Sequence, residues 1–200
     1  NPVGDATPLL ARDIWMKYEI QVKKPLIICL DMSLSMMGEK QALMAVAIAA
    51  VLFKFPMDTI SIIGFDDKAR LFLEPGEKVS ILEIVQRILD CPGKPYTNIE
   101  SGLRMAREIT ARHFKDTQSK PVSTILLSDG KYTSGADPAY LASGFKHLVV
   151  LKIGEDRSGI DLCNSLAKLG NGTMREIPRF EILPLVMYKV VQELLRGHTV

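Results

Sequence analysis

Short apolar runs alternate along this chain with longer segments in which apolar residues recur every three or four positions. Four runs are almost continuously apolar, as is typical of strands buried on both faces of a parallel sheet: 26–31, 59–65, 123–128 and 147–153. Two weaker runs, 71–73 and 173–177, are expected to form edge strands. Six segments have helical spacing: 40–55, 80–90, 98–114, 138–145, 160–169 and 181–196. The alternation predicts an α/β fold with a parallel sheet and helices on both of its faces.

The first 23 residues follow a different pattern. Apolar side chains there alternate with mostly polar ones, at Ile14, Met16, Tyr18, Ile20 and Val22. A period of two is typical of an extended strand with one apolar face. We therefore expect 1–23 to be an extension that links to an upstream region, 24–196 to form one domain, and 197–200 to be a tail. Because the chain begins at Asn1 and shows no basic-then-apolar leader, we expect a piece of a longer protein without an export signal here.

Three residues predict where helices begin or end. Ser80 is a suitable N-cap for the second helical segment, because its side-chain oxygen can accept a hydrogen bond from a free backbone N–H. Pro56 follows the first segment and Gly170 follows the fifth, and both residue types are common just beyond a helix C-terminus.

Composition narrows the possible partners. With 25 Lys and Arg against 23 Asp and Glu, the net charge of +2 argues against a nucleic-acid-binding protein. The longest apolar run, 43–53, is much shorter than the roughly 20 residues that cross a bilayer, so no membrane span is expected. Cys29, Cys91 and Cys163 are odd in number and far apart, which predicts neither a disulfide framework nor a thiolate metal site. A reducing, cytoplasmic location fits this cysteine usage best.

Oxygen-bearing side chains follow three of the predicted strands or loops. Asp31, Ser33 and Ser35 come at the carboxyl end of the first strand, spaced so that an extended loop would point all three the same way. Thr97 directly precedes a helical segment, and Asp129 follows the strand 123–128. In open α/β sheets, ligands bind beyond the carboxyl ends of the strands, so the five side chains are expected to converge. Such a donor set, without His or Cys, suits Mg²⁺ or Mn²⁺ and not Zn²⁺ or Cu²⁺.

These motifs resemble the von Willebrand factor A domain. The resemblance covers about residues 24–196 and includes DxSxS at 31–35, TNIESGLRMA at 97–106, SDG at 128–130 and IIGFDDKAR at 62–70. It implies a three-layer, Rossmann-like fold with about six strands, one of them an antiparallel edge. It also implies a metal-ion-dependent adhesion site whose ligands are Asp31, Ser33, Ser35, Thr97 and Asp129. Leu34 stands where many relatives have Gly, which tightens the loop but leaves the ligand types unchanged.

The resemblance implies a protein-binding function. With Asp31 and Asp129 as the only carboxylates, a divalent cation is at most neutralised, so it can accept an Asp or Glu from a partner protein. The chain looks most similar to bacterial and archaeal proteins of the CoxE and magnesium-chelatase D-subunit kind, which implies a MoxR-type AAA+ ATPase, or its client, as the partner. Family relatives also suggest that the last helix, 181–196, shifts when the metal gains its sixth ligand.

Two alternatives compete with the metal-dependent binding module: a purely structural role for the first loop, and an enzymatic function. Taken alone, Asp31, Ser33 and Ser35 also fit an ordinary helix-capping turn, but Thr97 and Asp129 in matching positions favour the metal site. A Mg²⁺-dependent phosphotransferase or phosphohydrolase would use Asp31 as nucleophile, yet haloacid-dehalogenase-type enzymes carry a second acid two residues later, where this chain has Ser33. The phosphate-loop, dinucleotide and nucleophile-elbow motifs are missing from the sequence, so we expect no catalysis.

The remaining polar residues receive weaker assignments. Asp66 and Asp67 are expected to form the turn of a hairpin, although they could rim the site. The three histidines, at 113, 147 and 198, lack metal-ligand spacing and are interpreted as surface or packing residues. Lys131 and Tyr132 follow Asp129 and are interpreted as part of a solvated loop, although they lie where they could select partners.

Overall fold

The structure is a computed structural model that describes residues 24–55, 57–114 and 121–196. Its strands are β1 (Leu26–Asp31), β2 (Ile60–Phe65), β3 (Ala69–Leu73), β4 (Ser123–Ser128), β5 (His147–Ile153) and β6 (Met174–Ile177). Its α-helices are α1 (Glu39–Lys54), α2 (Ile81–Leu89), α3 (Ile99–His113), α4 (Ala139–Ala142), α5 (Ile160–Leu169) and α6 (Leu183–Arg196). Short 3₁₀ turns occupy Leu34–Met36, Met57–Thr59 and Phe180–Ile182. The predicted strand at 14–22 and the predicted tail at 197–200 lie outside the described residues.

The six strands form one sheet in the order β3-β2-β1-β4-β5-β6. Only β3 runs antiparallel, at the edge beside β2, and the other neighbouring strands pair in parallel. This arrangement confirms the predicted fold class. The chain winds outward from β1 to β2 and β3, and then returns to build β4, β5 and β6 on the other side of β1. The crevice between β1 and β4 is therefore the point at which the winding direction reverses, where open α/β sheets bind ligands.

Each face of the sheet has its own hydrophobic core, because successive side chains of a strand point to opposite faces. On one face, Ile28 of β1 packs in a cluster with Met44 of α1 and residues of α2 and α6. On the other face, Cys29 of β1 belongs to a second cluster with Leu103 of α3 and residues of α4 and α5. All six residues of β1 are buried. A strand enclosed on both faces and paired on both edges is a rigid platform for the residues at its end.

Some element boundaries differ from the predictions. The predicted helix at 138–145 is only the single turn α4, and the predicted helix at 181–196 begins with a 3₁₀ turn before α6. Ser80 caps α2 as expected, since its hydroxyl accepts a hydrogen bond from the Glu83 N–H at 3.1 Å. Pro56 lies outside the described residues, but α1 does end just before it, at Lys54.

Helix α5 ends at Leu169, as predicted, but for a different reason. The left-handed backbone that terminates the helix belongs to Asn171, at φ 54°, and not to Gly170. The Gly172 N–H donates to the Ala167 carbonyl at 2.9 Å, as in a Schellman motif. Glycine is required at 170 because a Cβ there would lie 2.4 Å from that of Leu148 on β5. In the described part of the chain, no helix is both long enough and apolar enough to span a membrane.

Candidate metal centre

The site begins with Asp31, the last residue of the central strand β1. Its side chain is fully buried. One carboxylate oxygen accepts the backbone N–H of Ser33 at 3.0 Å, and the other accepts the hydroxyl of Ser128 at 2.8 Å. Ser128 is the last residue of β4, the parallel neighbour of β1. The carboxylate is thus fixed in the crevice between these two strands.

Burial raises the pKa of Asp31 from its usual 3.8 to about 6. The hydrogen bonds from Ser33 and Ser128 oppose this rise, and the negative charge of Asp129 adds to it. Asp129 directly follows Ser128, whose hydroxyl bonds to Asp31, so the ends of β1 and β4 bring two carboxylates into the same region. Both carboxylates would be stabilised by a positive charge placed between them.

Ser33 has the extended backbone considered in the sequence analysis, but the chain then folds into a 3₁₀ turn at Leu34–Met36. The Met36 N–H donates to the Ser33 carbonyl at 2.8 Å and closes the turn. This curvature brings the hydroxyls of Ser33 and Ser35 to within 3.2 Å of each other. Ser33 is buried, whereas Ser35 is exposed. The two hydroxyls therefore lie together through the turn itself and not through a period of two.

Thr97 lies at the end of the second loop, immediately before the N-cap of α3. It is buried and bonded to the loop that follows β4. Its N–H donates to the Thr133 hydroxyl at 3.0 Å, and its carbonyl accepts the N–H groups of Thr133 and Ser134 at 3.0 and 3.2 Å. The second and third loops are thus held together at the residue predicted as a ligand.

Asp129 opens the third loop, directly after β4, and is partly buried. One of its carboxylate oxygens accepts the Lys131 N–H at 2.9 Å. The intervening Gly130 has φ 80°, and its N–H donates to the Ser128 hydroxyl at 3.1 Å. A Cβ on Gly130 would lie 2.6 Å from the carbonyl oxygen of Gly159. Glycine is therefore required here both by the left-handed backbone and by close packing.

The first and second loops are also joined. The Leu34 N–H donates to the Lys94 carbonyl at 2.8 Å, next to an isolated parallel bridge between Ser33 and Lys94. The second loop is thus bonded to both of the others, and the strand ends that lead into the first and third loops are joined by the bond between Asp31 and Ser128. The five residues predicted as metal ligands lie on these three loops: Asp31, Ser33, Ser35, Thr97 and Asp129.

A hairpin turn supports the second loop. Asp66 and Asp67 lie between β2 and β3, as predicted. The Asp66 side chain is fully buried and accepts two hydrogen bonds from Arg70, both at 2.8 Å, while its carbonyl accepts the Asn98 N–H at 2.7 Å. Asp67 accepts the Lys94 ammonium at 2.9 Å. The turn therefore fastens the loop on both sides of Thr97.

Two supporting residues were missed by the sequence analysis. Ser128 was noted only as part of SDG, although its hydroxyl bonds to both Asp31 and Gly130. Asp66 was interpreted as a turn residue that could rim the site, but its full burial was not predicted. The available signal for Asp66 was Arg70 four residues later, across the short turn.

The donor set fits a hard divalent cation. Among the described residues, no Lys or Arg side chain forms an ion pair with Asp31 or Asp129, since the ammonium of the nearby Lys131 binds Asp156 instead. The described residues also contain no group of three or more His, Cys, Asp or Glu side chains placed so that they could hold a metal ion. Two carboxylates with neighbouring hydroxyls, neither carboxylate in an ion pair, match the oxygen ligands of Mg²⁺ better than the nitrogen and sulfur ligands of Zn²⁺.

Comparison with solved structures supports the fold. Proximal thread matrix protein 1 from the mussel byssus superposes with a TM-score of 0.71 at 18% identity, covering 87% of this chain and 48% of that one. A further structure of that protein, with a TM-score of 0.68, is described as having a zinc-occupied adhesion site. A von Willebrand factor type A protein from Catenulispora acidiphila gives 0.67 at 20% identity, covering 86% of this chain and 43% of that one. The chain thus spans about half the length of the mussel protein.

Sequence comparison identifies the family. A search of curated proteins found no match. The sequence profile of the von Willebrand factor type A domain matches residues 26–131, more than half of the chain. This match begins at β1 and ends just after Asp129, so it includes all five residues predicted as metal ligands. The chain belongs to the von Willebrand factor type A domain family.

Proposed function

We propose that this chain is a metal-dependent protein-binding module. A divalent cation is held by Asp31, Ser33, Ser35, Thr97 and Asp129, and it takes an Asp or Glu side chain of a partner protein as a further ligand. One observation carries the proposal: a fully buried carboxylate at the end of β1 and a second one just after the neighbouring strand β4, neither of them in an ion pair with a Lys or Arg among the described residues.

The charge of the site favours an anionic ligand. The two carboxylates at most neutralise a divalent cation, and the three hydroxyl oxygens add no charge. Mg²⁺ usually keeps several waters in protein sites, and a partner carboxylate can replace one of them. Mg²⁺ is the expected ion because the donors are all oxygen, and Mn²⁺ has similar preferences. Because the adhesion site of the mussel protein is described as occupied by zinc, the binding of Zn²⁺ to this chain must be measured beside that of Mg²⁺ and Mn²⁺.

We also propose a class of partner protein. The resemblance to CoxE and magnesium-chelatase D-subunit proteins supports a MoxR-type AAA+ ATPase, or a client of one, as the protein that supplies the acidic side chain. We assign the module to the cytoplasm, because its three cysteines are all free and buried. We assign it no enzymatic activity, and a phosphatase screen with Mg²⁺ tests this point, since turnover abolished by Asp31→Asn would overturn it.

Thermal unfolding with and without cation tests the metal site. Mg²⁺ at 100 times its Kd is expected to raise the free energy of unfolding by about 2.7 kcal/mol relative to EDTA. Asp31→Asn and Asp129→Asn should abolish this increase. Asp90→Asn, which changes an exposed Asp at the end of α2, should leave it intact. Calorimetric titration with Mg²⁺, Mn²⁺ and Zn²⁺ ranks the ions. A wild-type chain that responds to none of them, or an Asp31→Asn variant that responds fully, would refute the proposal.

A further inference from the structure

We propose that Leu34, Tyr96 and Tyr132 form an apolar rim around the metal site, and that the rim selects partners whose acidic residue lies between apolar or aromatic side chains. This inference rests on the proposed function, because the acidic residue must reach the metal. The inference adds to the proposed function the chemistry of the partner residues on either side of the acidic one, which neither the metal ligands nor the fold determines.

Each rim residue is adjacent or close in sequence to a proposed ligand, on a different loop. Leu34 lies between Ser33 and Ser35, Tyr96 precedes Thr97, and Tyr132 follows three residues after Asp129. The exposed fractions of these three side chains are 59%, 54% and 39%. Three exposed apolar side chains on three adjoining loops are typical of an interaction surface.

The hydrogen bonds between the loops keep the rim together. Leu34 donates its N–H to the Lys94 carbonyl at 2.8 Å, only two residues before Tyr96. Thr97 and Thr133, the neighbours of the two tyrosines, exchange backbone and side-chain hydrogen bonds at 3.0 Å. The backbone that carries the rim is therefore organised before a partner binds, which reduces the entropy lost on association. Tyrosine is also among the residues most often found at energetically important interface positions.

The charges beside the rim argue against a partner with a run of acidic residues. The ammonium groups of Lys94 and Lys131 already bind Asp67 and Asp156. Lys40 donates to the Ser35 carbonyl at 3.0 Å and lies over the ring of Phe180. A single carboxylate can bind the cation, but further acidic side chains would meet lysines whose charge is already engaged. Apolar flanking residues instead cover the exposed surface of the rim.

Peptide binding to the whole chain tests this inference. Four fluorescein-labelled heptapeptides are compared in saturating Mg²⁺ by fluorescence anisotropy. Three of them have a central Asp. In the first of these the Asp is flanked by Leu and Tyr, in the second by Ser, and in the third by Glu. The fourth peptide has the Leu and Tyr flanks around a central Asn. The peptide with Leu and Tyr around Asp is expected to bind at least about tenfold more tightly than each of the other three.

Substitutions in the rim provide the matched comparison. Leu34→Ser, Tyr96→Ser and Tyr132→Ser should each weaken binding of the Leu and Tyr peptide by about tenfold. Leu82→Ser, which changes a 66%-exposed leucine on α2, should leave binding unchanged. If the Ser or Glu peptides bind as tightly as the Leu and Tyr peptide, or if the rim variants behave like Leu82→Ser, the proposed role of the rim is overturned. The proposed function stands in that case as long as Asp is still preferred over Asn. Loss of the Asp preference in the wild-type chain would overturn the proposed function itself.

Discussion

Gly130 provides a quantitative test of how the third loop is built. Its backbone is left-handed, at φ 80°, and a Cβ would lie 2.6 Å from the Gly159 carbonyl oxygen and 2.7 Å from the Cys163 sulfur. Gly76 has nearly the same backbone, at φ 78°, but a Cβ there would meet nothing within 4 Å. Comparing Gly130→Ala with Gly76→Ala therefore separates the cost of the steric contact from the cost of the backbone angle.

The expected magnitudes follow from these two terms. A left-handed backbone costs a residue with a Cβ about 1–2 kcal/mol, so Gly76→Ala should be destabilised by about that amount. Gly130→Ala carries the same cost and must also displace a carbonyl oxygen, which adds about 1–3 kcal/mol. For a domain of this size, the added term lowers the melting temperature by roughly 2–12 °C below that of Gly76→Ala. The Mg²⁺-dependent stabilisation should also shrink, because the displaced loop carries Asp129.

Urea unfolding followed by circular dichroism measures both variants, with the melting temperature as a second readout. Gly159→Ala is the reciprocal experiment, because a Cβ there would lie 2.6 Å from the carbonyl oxygen of Asp129. It should resemble Gly130→Ala in stability and in its weakened response to Mg²⁺. If Gly130→Ala and Gly76→Ala are equally stable, then the close contact between the third loop and the start of α5 does not exist, and the reasoning is refuted.

Two further predictions concern charges outside the proposed ligand set. Arg70→Ala leaves the fully buried carboxylate of Asp66 without its cation and should lower the free energy of unfolding in urea by about 3–5 kcal/mol. Adding Asp66→Asn to the Arg70→Ala chain should recover part of this loss. A double variant that recovers nothing would contradict the pairing. Hydrogen bonds, first that from the Tyr140 hydroxyl, lower the pKa of Glu100 from its usual 4.5 to about 2. The stabilisation from Glu100 is therefore complete above about pH 4.5 and is lost as the pH falls through about 2. Because this network is largely exposed, Glu100→Gln should cost about 1 kcal/mol at pH 6 and progressively less toward pH 3, and a cost that does not change with pH would count against the network.

The fold was predictable where burial is complete and the run of apolar residues is unambiguous. The bounds of β1, β4 and β5 match the prediction residue for residue, because each of these central strands has a short, mostly apolar run with polar residues at one or both of its ends. The edge strand β3 was predicted only at 71–73 but begins at Ala69, since its first residues are half-buried and carry no apolar pattern. The predicted helix at 138–145 was too long, since its apolar residues also fit the single turn α4 followed by an irregular segment.

The site was predictable as a set of residue types but not as an arrangement. Oxygen donors at strand ends can be found from local motifs together with the rule for parallel sheets. The bond between Ser128 and Asp31 joins residues 97 positions apart, and that between Thr97 and Thr133 joins residues 36 apart. Such contacts depend on the pairing of β1 with β4 and on the packing of the loops, neither of which leaves a local pattern in the sequence.

The position of Asp31 couples the proposed metal site to the stability of the whole fold. A carboxylate at the end of a central, fully buried strand cannot be moved into solvent without disturbing the pairing of β1 with β2 and β4. Its burial beside Asp129 is unfavourable until a cation is present. In EDTA, Asp31→Asn should therefore be at least as stable as the wild-type chain, because the amide oxygen can still accept from Ser33 and the amide nitrogen can donate to the Ser128 hydroxyl oxygen. In saturating Mg²⁺ the order should reverse. This reversal distinguishes a carboxylate retained for a metal from one that merely caps a turn, since loss of a capping carboxylate would destabilise the chain equally in both conditions.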